Sequence, residues 1–124
     1  MVLVLVDDLL FTSKIRAAAK AAGVSLAFAR SSAAALEEMR KNPPSLVVLD
    51  LNNPRTDPLG TVTAMKADPT LAGIATVAYV SHVQTELIAA ARQVGINEVL
   101  PRSAFSERLP ELLSRATGLG SAPA

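Results

Sequence analysis

The sequence predicts an α/β domain in which five parallel strands, wound in the order 2-1-3-4-5, carry helices on both faces. Three observations predict it. Five short apolar runs alternate with five helix-like segments along the chain. The runs are close to continuously apolar, as in Val2-Leu3-Val4-Leu5-Val6 and Leu46-Val47-Val48-Leu49, which is how strands buried on both faces read. The chain has 124 residues, enough for one domain with a full core and too few for two. Alternating strand and helix units imply a parallel sheet. Right-handed crossovers restrict how it can be wound.

The first strand, Val2 to Val6, runs into two carboxylates, Asp7 and Asp8. Thr12 or Ser13 is expected to cap a helix that continues through Ala22, with Gly23 as its stop. Val24 to Ala29 reads as a second strand. Ser31 or Ser32 caps a helix to about Lys41, which Asn42-Pro43-Pro44 terminates. Leu46 to Leu49 is the central strand, and it ends on Asp50 ahead of the turn Asn52-Asn53-Pro54. Leu59, Val62 and Met65 or Lys66 share one face of a short helix to Ala67, ended by Asp68-Pro69. Thr76 to Val80 is the fourth strand, followed by Ser81-His82. Thr85 to Val94 is helical, with Leu87, Ile88, Ala91 and Val94 as its apolar face and Gly95 closing it. Asn97 to Leu100 is the fifth strand and leads into Pro101-Arg102-Ser103. The last helix is expected from Ser106 to about Thr117, with Pro110 in or near its first turn. The domain is thus placed over residues 1–117, with a flexible tail over 118–124. Five such units in this length match the flavodoxin-like order, whose switch point lies between the first and third strands.

Composition narrows the function. Half of the chain is hydrophobic and only 3% is aromatic, so Ala, Val and Leu are expected to build the core. The scarcity of aromatics also argues against a nucleic-acid stacking platform. Net charge is +1, from 12 basic and 11 acidic residues, and gives no basic surplus for a phosphate backbone. There is no Cys, which excludes disulfides and thiolate metal sites. His82 is the single His, so a zinc site has no ligand set. No apolar run approaches the roughly 18 residues a membrane span needs. The apolar start lacks a basic flank and does not read as a signal peptide. A cytoplasmic protein with no membrane or nucleic-acid partner is expected.

In an open parallel sheet, ligands bind beyond the carboxyl ends of the strands at the switch point. Asp7, Asp8 and Asp50 fall there. Three carboxylates on one edge repel one another, which a proton or a cation relieves. Mg²⁺ suits them, since it takes one or two carboxylates, keeps waters and accepts phosphate oxygens. A carboxylate beside such an ion can attack phosphorus. The fourth and fifth strands add Ser81, a hydroxyl, and Arg102, a cation, both fitted to stabilise transferring oxygens. Plainer roles stand beside these. Asp50 could cap its own turn, Ser81 could cap the helix near Thr85, and Arg102 could pair with Glu98 or Glu107.

These residues carry a resemblance. Asp7-Asp8 after the first strand, Leu-Val-Val-Leu-Asp50-Leu-Asn52-Asn-Pro54, Ser81 ending the fourth strand and Gly95 before the fifth resemble a response-regulator receiver domain of the CheY-like kind, over roughly residues 2 to 117. The resemblance implies that Asp50 is the phosphoacceptor. It implies that Asp8 binds Mg²⁺ directly, Asp7 through water and Asn52 through its main-chain carbonyl, and that Ser81 bonds the phosphoryl group. The donor would be a histidine kinase or a phosphotransfer protein. With no output domain expected after the last helix, the signal would pass by binding another protein, unidentified by the sequence.

The chain also departs from the family pattern. Arg102 stands for the usual lysine, a flat fork in place of a point charge. Ser103 follows it where the family has a proline, and a cis bond there would cost about 3 kcal/mol, so that loop is expected to be rebuilt. Val99 takes the place of the switch aromatic. Asp57-Pro58 replaces an Asp-Gly pair. Asn52 and Val83 hold the positions that tune dephosphorylation, and Val83 cannot hydrogen-bond a water. The resemblance is therefore to an atypical receiver. The alternative is a pseudo-receiver, a phosphorylation-independent docking module on the same fold. A small phosphatase or phosphotransferase would need a carboxylate where Asn52 stands, so the chain is not expected to be an enzyme.

Overall fold

A computed structural model describes residues 1–82 and 84–116 of the chain. Val83 and the expected tail, 118–124, lie outside the described residues. Strands and helices alternate as β1 (Val2–Leu5), α1 (Leu9–Ala22), β2 (Leu26–Phe28), α2 (Ser32–Lys41), β3 (Leu46–Asp50), α3 (Pro58–Ala67), β4 (Ala75–Val80), α4 (Thr85–Gln93), β5 (Glu98–Pro101) and α5 (Arg102–Ala116), with a 3₁₀ turn over Pro54–Thr56. The strands form one sheet in the order β2-β1-β3-β4-β5, and every pairing is parallel. This is the flavodoxin-like winding expected from the sequence.

Side chains alternate across a strand, so each strand feeds two cores. Val2, Val4, Val48 and Val77 pack with Phe11, Ile15, Phe105 and Leu109 of α1 and α5. Leu3, Leu5, Val47 and Leu49 pack with Met39, Val62, Met65 and Ala91 of α2, α3 and α4. β1 and β3 are covered on both faces, and this is why their runs carry no polar residue. Each fully buried Val or Leu contributes about 1.5–3 kcal/mol of transfer free energy. Asp7 and Asp50 are held where the strands end by these two layers.

Several element boundaries differ from expectation. α1 starts at Leu9, three residues before Thr12, because Asp8 caps it. That start lets Phe11, Ile15 and Ala19 line one buried stripe. α3 is capped by Asp57, which takes a left-handed conformation (φ 42°) uncommon for a residue other than Gly. Gly60 makes this cap possible, since a Cβ there would lie 2.1 Å from Asp57 Oδ2. α5 shows the largest difference. It begins at Arg102, directly at the strand end, and not at Ser106. Burial of Phe105, Leu109 and Leu113 draws the whole segment onto the sheet. Pro110 consequently lies inside the helix on its exposed side, not in the first turn. The expected Pro101-Arg102-Ser103 loop is absent, and Arg102 and Ser103 form the first turn of α5.

Candidate functional site

The carboxyl ends of β1, β3, β4 and β5 bring Asp7, Asp8, Asp50, Ser81 and Arg102 to one edge of the sheet. Asp50 is the last residue of β3 and is partly buried. Its Oδ1 accepts a hydrogen bond from Asn52 N at 2.9 Å. The plain role of turn former is thus real, and it leaves the other oxygen of the carboxylate out of the turn. Asp8 is engaged twice. Oδ1 accepts from Leu10 N (2.9 Å) and Phe11 N (3.3 Å) as the cap of α1, and Oδ2 pairs with Arg102 Nη2 at 2.7 Å. Asp7 Oδ2 accepts from Asn53 Nδ2 at 3.3 Å.

Arg102 therefore pairs with Asp8, and neither Glu98 nor Glu107 is its partner. Glu98 is held by Arg108 and by Arg115 instead. Chain topology decides this: the start of α5 faces the start of α1 across the sheet edge, while Arg108 sits back along the helix over β5. Ser81 stands exposed at the end of β4. It does not cap α4, whose cap position, Gln84, makes no side-chain cap bond. Asn52 ties the two loops together. Its Oδ1 accepts from Ser81 N at 2.8 Å, and its Nδ2 donates to Gln84 Oε1 at 2.7 Å. The exposed His82 lies with Ser81, Leu10, Lys14, Arg102 and Glu107 around an open depression beside the carboxylates.

Below this rim lies an aromatic floor that sequence reasoning missed. Three of the four aromatic residues gather here. Phe11 and Tyr79 meet edge to face at 4.8 Å, and Tyr79 and Phe105 stack at 4.8 Å. The Arg102 guanidinium lies over Phe11 at 4.3 Å, a cation–π contact. Tyr79 and Phe105 are also the largest fully buried side chains, so the core is not built by aliphatics alone. The signal in the sequence was local: Phe11, Tyr79 and Phe105 each stand within four residues of a site residue. Asn53, 7% exposed and bonded to Asp7, was likewise passed over as turn material.

Burial raises the pKa of Asp50 first of all. The Asn52 N–H and the Arg102 charge oppose the rise, repulsion from Asp8 adds to it, and a weaker contact from the Tyr79 hydroxyl opposes it. Crowding of carboxylates was the expected cause, and here it ranks behind desolvation. Tyr79 is likewise pushed up, by burial and then by the Asp50 and Asp8 charges.

The donors at this edge are hard oxygens, the kind a small divalent cation takes. Asp8 already holds a positive group, Arg102, at the position such an ion would share. Among the described residues no three carboxylates lie close enough together to enclose an ion. The donor set fits a hydrated cation held by one or two carboxylates, provided that Arg102 leaves Asp8. A separate cleft of about 350 Å³ at the opposite ends of the strands, lined by Ser45, Thr76, Asn97 and Arg115 among others, holds none of these residues.

Residues 2–114 match the family model described as the response regulator receiver domain. Comparison with curated proteins returns no match. Among solved structures, a response regulator from Hahella chejuensis is 19% identical, with a TM-score of 0.84 over 96% of each chain. The phosphorylated cyanobacterial phytochrome response regulator RcpA is 20% identical, with a TM-score of 0.78 over 99% of this chain and 94% of its own. The Mn²⁺-bound response regulator Rcp1 is 21% identical, with a TM-score of 0.73 over 92% of this chain and 88% of its own. At these identities the likeness is one of fold.

Proposed function

This chain belongs to the response regulator receiver domain family, and on that premise we propose that it works as a phosphorelay receiver, taking a phosphoryl group on Asp50 from a histidine kinase or phosphotransfer protein in the presence of Mg²⁺. The phosphorylated domain would signal in the cytoplasm by binding another protein, and would not act as an enzyme on other molecules. The observation that carries this reading is the placement of Asp50. It ends the central strand at the switch point, anchored through one oxygen, with Asp8 and Arg102 acting on its charge.

An Asp50 carboxylate oxygen attacks phosphorus, the bond from phosphorus to the donor's histidine nitrogen breaks, and that nitrogen keeps the electron pair. Asp8 and Asp50 would hold the Mg²⁺, with Asp7 acting through water and Asn52 through its main-chain carbonyl. The bound ion supplies charge neutralisation for the transferring oxygens. Arg102, once off Asp8, can reach a phosphoryl oxygen as a charge-assisted donor. The Ser81 hydroxyl donates a further bond. A divalent ion in this fold is supported by the Mn²⁺-bound relative Rcp1.

One observation favours a second reading, the phosphorylation-independent docking module. Both Asp8 oxygens are already engaged, by the cap and by Arg102. Intact-mass measurement after incubation with acetyl phosphate and Mg²⁺ separates the two. The receiver gains the mass of one phosphoryl group, and Asp50→Ala does not. An unmodified wild-type protein leaves the docking module as the account.

A further inference from the structure

Tyr79 is the neighbour of Asp50 in the sheet: the two are register partners between β4 and β3. Both side chains leave the same face. Val48, two before Asp50, and Val77, two before Tyr79, point into the core beneath α1 and α5, and the Tyr79 ring is wedged there between Phe11 and Phe105. Tyr79 is 1% exposed. Its hydroxyl is the one buried side-chain polar atom among the described residues without a well-formed hydrogen bond, and the Asp50 carboxylate is the group it reaches toward. Such a group calls for an explanation. A Phe would fill the same ring position with no polar atom to bury.

The hydroxyl is near enough to Asp50 for the carboxylate to act on it both as a charge and as a hydrogen-bond acceptor, in a loose contact short of a well-formed bond. Burial keeps the phenol protonated, so it is always a donor. Of the carboxylates that act on it at the sheet edge, Asp50 comes ahead of Asp8. Small changes at Asp50 would bring the two into line.

We propose that Tyr79 is a catalytic residue of this site, its phenol O–H donating to the Asp50 carboxyl and stabilising it as the leaving group when the phosphoryl group departs. The proposal rests on the receiver reading above. In phosphorylated Asp50 one oxygen is bonded to phosphorus and the other is a carbonyl. In hydrolysis a water oxygen attacks phosphorus and the bond from phosphorus to Asp50 breaks. The electron pair returns to the carboxylate, the water's proton goes to solvent, and inorganic phosphate leaves. The transition state is loose, so negative charge builds on the departing carboxylate. A carboxylate is a stronger acceptor than a neutral acyl oxygen. The Tyr79 bond therefore tightens as the phosphoryl group leaves, and a contact stronger in the transition state than in the ground state accelerates the step. Tyr79 shortens the life of the signal.

The test is Tyr79→Phe, which keeps the stacked ring. Wild type and variant are loaded with acetyl phosphate and Mg²⁺, freed of the donor, and followed by release of inorganic phosphate. The variant should lose its phosphoryl group about three- to tenfold more slowly, the difference between a charge-assisted and a neutral hydrogen bond. An equal or faster loss overturns the proposal. A second arm needs no phosphorylation: a double-mutant cycle of Tyr79→Phe with Asp50→Ala, read by urea unfolding in metal-free buffer. A hydrogen bond gives a coupling of about fivefold in the unfolding constant, and additive effects remove the contact. If the wild type takes up no phosphoryl group, the receiver reading fails and the catalytic role with it. If it does and the variant decays normally, Tyr79 alone is wrong.

Discussion

Arg102 Nη2 lies 2.7 Å from Asp8 Oδ2, so the first residue of α5 is tied to the cap of α1. Both side chains are more than a third exposed, at 36% and 37%. A pair in that setting is worth about 0–1 kcal/mol in stability. Its weight is instead in deciding which cation Asp8 holds.

Mg²⁺ and Arg102 should therefore compete. Arg102→Ala should tighten Mg²⁺ binding on the order of threefold, the value of a weak exposed pair. Amide shifts of residues 7, 8 and 50 during a Mg²⁺ titration measure it. Unchanged or weaker affinity means that Arg102 does not hold the metal position.

Asp8 has a structural duty that its charge does not exhaust. Asp8→Asn keeps an acceptor for the Leu10 and Phe11 N–H groups and should leave urea stability within about 0.5 kcal/mol, because Asn caps nearly as well as Asp. Asp8→Ala strips the cap and should cost about 1 kcal/mol. Equal stability of the two variants would refute the capping role.

The raised pKa of Asp50 has a definite sign in stability. In the unfolded chain this carboxyl ionises near its ordinary value of 3.8, and in the folded protein it does so at higher pH. Between the two, the folded state holds the extra proton. The stabilising contribution is complete below the unfolded value and is lost as pH rises through the folded one. In metal-free buffer, Asp50→Asn should gain on the wild type over that rise and keep its advantage at neutral pH. Melting curves from acid to neutral pH that stay parallel for the two proteins would exclude the burial cost.

Asn52 joins the loop after β3 to the loop after β4 through Ser81 N and Gln84 Oε1. Asn52→Ala should free the Ser81 amide and speed its hydrogen exchange, with a stability loss of about 0.5–1.5 kcal/mol. Unaltered exchange at Ser81 would mean that the latch does not restrain that loop.

Pro110 lies within α5 on its exposed side and cannot donate to the Ser106 carbonyl four residues back. Pro110→Ala should stabilise the protein by about 1–2 kcal/mol, once the greater freedom of the unfolded chain is subtracted. A destabilised variant would show that Pro110 is required for packing on the sheet.

The strand order, the two-sided core and the meeting of Asp7, Asp8 and Asp50 at one edge were all legible in the chain. Each follows from local pattern: apolar runs of strand length, helix stops, and carboxylates placed where strands end. Right-handed parallel winding limits the orders, and the flavodoxin-like one that five units match makes the ends of the first and third strands neighbours. The partner of Arg102 was not legible. Glu98 and Glu107 are near it in sequence, whereas Asp8 is 94 positions away and reaches it only because α1 and α5 pack on the same face. The start of α5 was hidden for a related reason. Pro110 and Ser106 signal a late beginning, and burial of Phe105 and Leu109 against the sheet outweighs them. The aromatic floor beneath the site, and with it the buried Tyr79 hydroxyl beside Asp50, exists only through packing. Phe11, Tyr79 and Phe105 belong to three different elements, and the doubly wound sheet alone brings their rings within contact.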